Sequence, residues 1–217
     1  MARGTDFGGV HSYHDLHLVQ ALVVVAPAEP KLNFIDIPGA DGAKDFSEAP
    51  AGRVVYNTRQ LTWTYKLYPG EDWAAKYMQV NNALNGRRCL ITLDADPDYY
   101  YIGRLAVESQ EAEGILHTIT VTATCQPYKL KQSETIRTVQ VSTTQQTISL
   151  LNERKPAIPL IKVTAETTLG WNGGFITLAP GEHRSLDIEL PAGVSKLTAK
   201  TVSGTGTLTL TYQEGAL

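Results

Sequence analysis

The sequence predicts a mainly β protein in two parts, the first carrying a single helix and the second built as a β-sandwich. Three observations predict it. Short runs of β-branched and apolar residues, bounded by Gly, Pro, Asn and Asp, recur through most of the 217 residues. Trp73, Tyr77, Val80 and Leu84 stand at i, i+4, i+7 and i+11, the spacing of one helical stripe. From Thr135 onward the chain is rich in Thr, Ser and Val, has no helical stripe, and breaks into short strand-like runs at sandwich spacing.

In chain order, a strand is expected over 17–25, stopped by Pro27 and Pro30. Alternating residue types predict strands over 53–56 and 59–68, and further strands follow over 89–93, 99–107 and 115–125. The helix has Glu71 and Asp72 at its start, where the dipole favours negative charge, and Gly86 as the residue that ends it. The sequence Pro127-Tyr-Lys-Leu-Lys131 marks a boundary, giving parts of 1–130 and 131–217. In the second part, strands are expected over 138–144, 147–151, 159–163, 174–178, 185–190, 196–200 and 207–212, with Trp171 in a turn. No internal repeat is found.

Composition excludes several classes of function. Hydrophobic content of 42% and charged content of 19% are those of an ordinary globular chain. A net charge of −3 leaves no basic footprint for nucleic acid and no polybasic membrane patch. The longest apolar run, Ala21-Leu-Val-Val-Val-Ala26, is too short to span a bilayer, and the N-terminus lacks the apolar region of a signal peptide. Cys89 and Cys125 form neither a disulfide framework nor a zinc spacing, and are expected as buried free thiols.

The chemical motifs have plainer explanations. Asp94-Ala-Asp-Pro-Asp98 opens like a calcium loop, but Tyr99 and Leu105 replace the required Gly and Glu, so a turn between strands is expected. His11, His14 and His17 recur every third residue; in an extended segment they would point to alternating faces and could not converge on a metal. No nucleophile elbow, zinc-protease motif or Walker loop is present, and Gly204-Thr-Gly206 opens a strand where a dinucleotide fingerprint opens a helix. The loop Ile37-Pro-Gly-Ala-Asp-Gly-Ala-Lys-Asp-Phe-Ser-Glu48 carries two turn signals, Pro38-Gly39 and Asp41-Gly42. It leads into an expected strand at Val54-Val-Tyr56, so it lacks the helix N-terminus of a phosphate cradle. What remains is a mixed-charge loop suited to contacts with another chain.

These pieces together resemble the distal tail protein (Dit) family of siphophages. In order they are Phe7-Gly8 with His11-Ser12, Ile37-Pro-Gly-Ala-Asp-Gly42, Asp45-Phe-Ser-Glu48, Tyr56 and Arg59. Trp73 with Leu84-Asn-Gly86, Asp94-Ala-Asp-Pro-Asp-Tyr-Tyr-Tyr101 with Gly103-Arg104, and Cys125-Gln-Pro-Tyr-Lys129 continue the series. The resemblance covers roughly the first 130 residues. It implies an N-terminal β-sandwich or split-barrel-like domain with one helix, followed by a C-terminal galectin-like or jelly-roll β-sandwich.

The resemblance also implies a structural virion protein at the distal end of the tail, assembled in the host cytoplasm, with no enzymatic activity, cofactor or metal. Its partners would be itself in a hexameric ring, the tail tube protein, and tail-tip or baseplate proteins. DNA would pass through the channel without specific binding, and no membrane would be engaged. On this reading Asp41, Lys44, Asp45 and Glu48 meet polar groups within the first domain or on a neighbouring protomer. A carbohydrate-binding sandwich with Trp171 as an exposed stacking platform is the alternative. A hydrolase using the loop carboxylates has no motif behind it.

Overall fold

A computed structural model describes residues 4–67, 70–113 and 116–217. Tyr68, the expected end of one strand, Ile115, the expected start of another, and residues 1–3 lie outside them. The chain divides into two compact units, Met1–Lys129 and Leu130–Leu217.

The first unit contains strands β1 (Thr5–Phe7), β2 (Val19–Val25), β3 (Phe34–Asp36), β4 (Ala43–Asp45) and β5 (Arg59–Lys66). Helix α1 (Trp73–Leu84) follows, then β6 (Arg88–Leu93), β7 (Asp96–Glu113) and β8 (Leu116–Cys125). Antiparallel pairing gives a main sheet with the path β1-β6-β7-β8-β5-β2, while β3 and β4 pair only with each other. Register shifts at Gln20/Leu22, Ile91/Leu93 and Val107/Ser109 mark bulges, which bend strands and increase twist. The bend lets one face wrap a core of Phe7, Leu61, Trp63, Ile91, Leu105 and Val121, with Val80 and Leu84 of α1 in the same cluster.

The helix starts where the carboxylate of Asp72 accepts from the N–H groups of Ala74 and Ala75. Gly86, at φ 74°, follows its end in the left-handed conformation that glycine adopts without strain. The expected stripe is only partly buried. Val80 and Leu84 are enclosed, whereas Trp73 stacks on His117 with centroids 5.5 Å apart.

Three expectations change here. Val54-Val-Tyr56 is not a strand; Tyr56 makes an isolated bridge with Pro30, which has no N–H to extend a ladder. The strand expected from His17 begins at Val19, with His17 itself at φ 51°. The histidine segment is not extended either, since the N–H groups of Asp15 and Leu16 turn back to the His11 carbonyl. That turn stacks the His11 and His14 rings 4.5 Å apart. No group of three or more potential metal ligands occurs among the described residues.

His11 Nε2 lies 3.2 Å from Asp94 Oδ1, and the Gly4 N–H donates to Asp94 Oδ2 at 2.7 Å. Burial pushes the Asp94 carboxyl up, but these contacts outweigh it and hold the group below its usual value. Asp94 thus sits in a turn that fastens the start of the chain.

Cys89, Gly103 and Cys125 are directly opposite one another across β6, β7 and β8. Both thiols are free, and burial pushes Cys125 up to about 12, which keeps it protonated and inert. A Cβ at Gly103 would collide with the Cys125 sulfur and lie 3.1 Å from the Thr124 carbonyl oxygen. Gly103→Ala is therefore expected to cost about 1–3 kcal/mol through overpacking, measured as a lower urea midpoint of the first unit.

The second unit follows β9 (Lys129–Lys131), a strand that spans the division between the units. It holds β10 (Thr135–Val141), β11 (Gln146–Asn152), β12 (Leu160–Val163), β13 (Thr167–Trp171) and β14 (Gly174–Leu178). It continues with β15 (Gly181–His183), β16 (Gly193–Thr201), β17 (Gly206–Tyr212) and β18 (Gly215–Ala216). Two four-stranded sheets, β10-β17-β12-β15 and β11-β16-β13-β14, contribute alternate residues to one core that includes Ile148, Ile161, Leu169, Leu197 and Leu208.

The run 185–190, expected as a strand, is not one. Ile188 turns back to Ser185, and only Leu190 bridges, to Ala157. Conversely, Thr167–Trp171 is a strand held by β16 on one side and β14 on the other. Near the C-terminus, the buried Glu214 carboxylate accepts from Lys131 Nζ at 3.3 Å, the Glu153 N–H at 3.0 Å and the Thr135 hydroxyl. These bonds satisfy a charge that would be costly to bury alone.

Candidate assembly arm

The chain between β2 and β5 leaves the main sheet as an arm. Its two strands pair Phe34 with Asp45, Ile35 with Lys44 and Asp36 with Ala43. The tip begins as the sequence dictates. Pro38 and Gly39 occupy the central positions of a turn closed by the Ala40 N–H on the Ile37 carbonyl at 3.0 Å, with Gly39 at φ 83°. Proline at the first central position and a positive-φ glycine at the second are the requirements of a type II turn.

At the base, a relay of hydrogen bonds closes the arm. The Asn33 N–H donates to Ser47 Oγ at 2.8 Å, and that hydroxyl donates to Asp45 Oδ1 at 2.5 Å. The Ser47 N–H reaches the same carboxylate oxygen at 2.8 Å, and the Phe46 N–H donates to the Asn33 carbonyl at 2.8 Å. Both Ser47 contacts, the hydroxyl first, lower the Asp45 carboxyl below its ordinary value.

A carboxyl depressed in the folded state contributes stability above its unfolded value, and that contribution is lost as pH falls through the folded value. The arm base should therefore loosen below about pH 3.9, the ordinary aspartate value. In Ser47→Ala the Asp45 carboxyl should titrate closer to that ordinary value. An NMR pH titration reads both effects.

Asp41, Lys44, Asp45 and Glu48 are all exposed and all lie on this arm, Asp41 at its tip and Lys44 in β4. Asp45 and Glu48 line a cleft of about 480 Å³, together with Pro30, Leu32, Phe46, Val54 and Tyr56. Trp171 lies elsewhere, in the second unit. It is the last residue of β13, paired with Gly174 across a tight turn at Asn172 and Gly173, where φ is 46° and 83°. It is half-buried and packs against the sandwich core, at the end of a strand and not within the turn expected of it.

The arm's apolar residues were not singled out from the sequence. Leu32, Phe34, Ile35, Ile37 and Phe46 are all exposed, Phe34 to 55%. Phe34 and Ile35 are consecutive in a strand and so face opposite sides, which makes both faces of the arm apolar. The available signal was an apolar run beside a loop rich in Pro and Gly; read alone, it looks like an ordinary strand approaching a core. A two-stranded hairpin without a third strand is only marginally stable in water. No third strand pairs with this arm, and much of its apolar surface stays exposed.

An antiparallel sheet bearing one helix, followed by a two-sheet sandwich, is an architecture shared with solved structures. One solved structure that it is similar to is the Dit protein (gp 19.1) of phage SPP1, described as a paradigm of the hub adsorption apparatus in phages infecting Gram-positive bacteria. The match covers 100% of each chain with a TM-score of 0.69 and 16% sequence identity. At that identity the likeness establishes the fold. No protein-family model matches the chain, and no curated protein matches it. No helix among the described residues is long and apolar enough to cross a membrane.

Proposed function

We propose that this chain is a structural virion protein that builds the distal hub of a siphophage tail. Six copies close into a ring that joins the tail tube protein to the tail-tip or baseplate proteins of the adsorption apparatus. The observation that carries this reading is the fold shared over the full length of both chains with a protein described as a hub of such an apparatus. The uncovered apolar arm supports it independently. Large exposed apolar surface marks an interaction site, and a head-to-tail contact between identical copies closes into a ring when its rotation permits.

On this reading the protein performs no reaction. DNA passes through the ring unread, consistent with a net charge of −3, since retention of phosphate requires neutralising Lys and Arg. Asp45 serves the arm from within, because its carboxylate is already bonded to Ser47. Glu48, Asp41 and Lys44 are the charges available to a neighbouring copy.

Native mass spectrometry and negative-stain class averages of the purified chain test the proposal. Six-fold rings are expected. A protein that stays monomeric at every concentration overturns the reading.

A further inference from the structure

We infer that a small cavity in the second unit binds a quaternary ammonium group of the choline type. The cavity, of about 150 Å³, opens beside the hairpin of β13 and β14. Trp171 and Phe175 line it, with Leu169, Ile176 and Ile188 as its aliphatic surface. Among the described residues that line it, Asp187 alone is charged. Two aromatic rings and one carboxylate around an aliphatic floor suit an alkylated cation. The ring faces attract the charge through their quadrupoles, and the carboxylate balances it. This binding requires no neighbouring copy, so it is independent of the ring reading.

The strands fix these groups in place. Phe175 stands in β14 directly opposite Gly170 of β13. A Cβ at Gly170 would collide with the Thr198 hydroxyl and lie 2.9 Å from the Phe175 ring. The missing side chain lets that ring settle against the neighbouring strand, while Phe175 remains 73% exposed. Trp171, packed on the sandwich core, is held from behind. Asp187 is oriented by Ser185, whose hydroxyl donates to its Oδ2 at 3.3 Å and accepts from its N–H at 3.3 Å.

The lining selects among ligands. A sugar ring brings several hydroxyls that need partners when covered, and the side chains here offer one carboxylate and one indole N–H. A primary ammonium is strongly hydrated and brings three donors, more than one carboxylate satisfies. A quaternary ammonium donates no hydrogen bond, so it loses none on entry; ring faces and one counter-charge are all it needs.

The test titrates the full chain with choline chloride and, in parallel, with phosphocholine by isothermal titration calorimetry. Saturable binding is expected, and the tighter of the two identifies the form in which the group is carried. Phe175→Ala and Asp187→Asn should each weaken it about tenfold. Both residues are exposed, so the thermal midpoint of either variant should stay at the wild-type value. The neutral carbon isostere of choline, with a tert-butyl group in place of trimethylammonium, should bind at least tenfold more weakly, and so should n-butylammonium. No saturable binding of either choline form, or binding unchanged in both variants, overturns the assignment. Equal binding of the neutral isostere would make the cavity simply apolar, equal binding of n-butylammonium would assign it to a lysine side chain, and tighter binding of methyl glucoside would make it a saccharide site. Each of those results also overturns the assignment.

Discussion

Phe34→Glu combined with Ile35→Glu is expected to leave a folded monomer that no longer forms rings. Both residues are exposed in the single chain, so their replacement should shift the unfolding free energy by no more than about 0.5 kcal/mol. Their effect belongs to the interface. Burying a Phe or Ile side chain is worth about 1.5–3 kcal/mol, and a carboxylate in its place resists desolvation. Each 1.4 kcal/mol is about tenfold in affinity, so losing two such anchors weakens every contact around the ring by roughly a hundredfold or more. Phe34→Ala should fall between wild type and the double variant. Mass photometry across a dilution series, beside thermal unfolding of the same samples, separates lost assembly from lost folding. Rings of normal stability in the double variant would remove the arm from the interface.

Trp63→Ala is expected to have the largest effect on folding, about 3–5 kcal/mol. Trp63 is fully buried in β5, between β2 and β8, and meets the Phe7 ring edge-on with centroids 5.0 Å apart. Truncation removes the transfer free energy of a large aromatic and leaves a cavity bordered by two neighbouring strands that cannot both collapse into it. In urea, the transition reported by first-unit residues should move to lower concentration, while Leu197 and Leu208, in the separate core of the second unit, should keep their midpoint. A loss below about 1 kcal/mol would mean that the site collapses freely, contrary to the packing described.

Much of the fold was legible because its determinants are local. The helix could be placed from a stripe of four residues, an N-terminal Asp72 and a following Gly86, and α1 spans Trp73–Leu84 with Asp72 as its cap. The turn at Pro38-Gly39 follows from the φ preferences of two residues, and 147–151, 174–178 and 207–212 alternate as strands must. Reading failed where pairing partners decide. Thr167–Trp171, with a glycine inside it, is a strand because β14 and β16 pair with it on both sides. The run 185–190 alternates equally well but has no neighbouring strand in register, and Leu186 remains 84% exposed. His11 and His14 meet because a turn replaces the extended segment that their surroundings suggested.

The sequence by itself determined the β class of this chain, the helix α1, the turn at Pro38-Gly39 and the gathering of Asp41, Lys44, Asp45 and Glu48 in one short segment. Each depends on residue preferences and periodicities acting over a few positions. That Lys44 and Asp45 belong to a strand, β4, and not to a loop came from their pairing with β3. Only the tertiary structure decided that Phe34 and Ile35 face solvent instead of a core, that Trp171 packs against the sandwich, and that β2 is left as an open edge. Burial and exposure depend on which distant strands arrive alongside. An apolar pair has the same local pattern whether a third strand covers it or, as on this arm, none does.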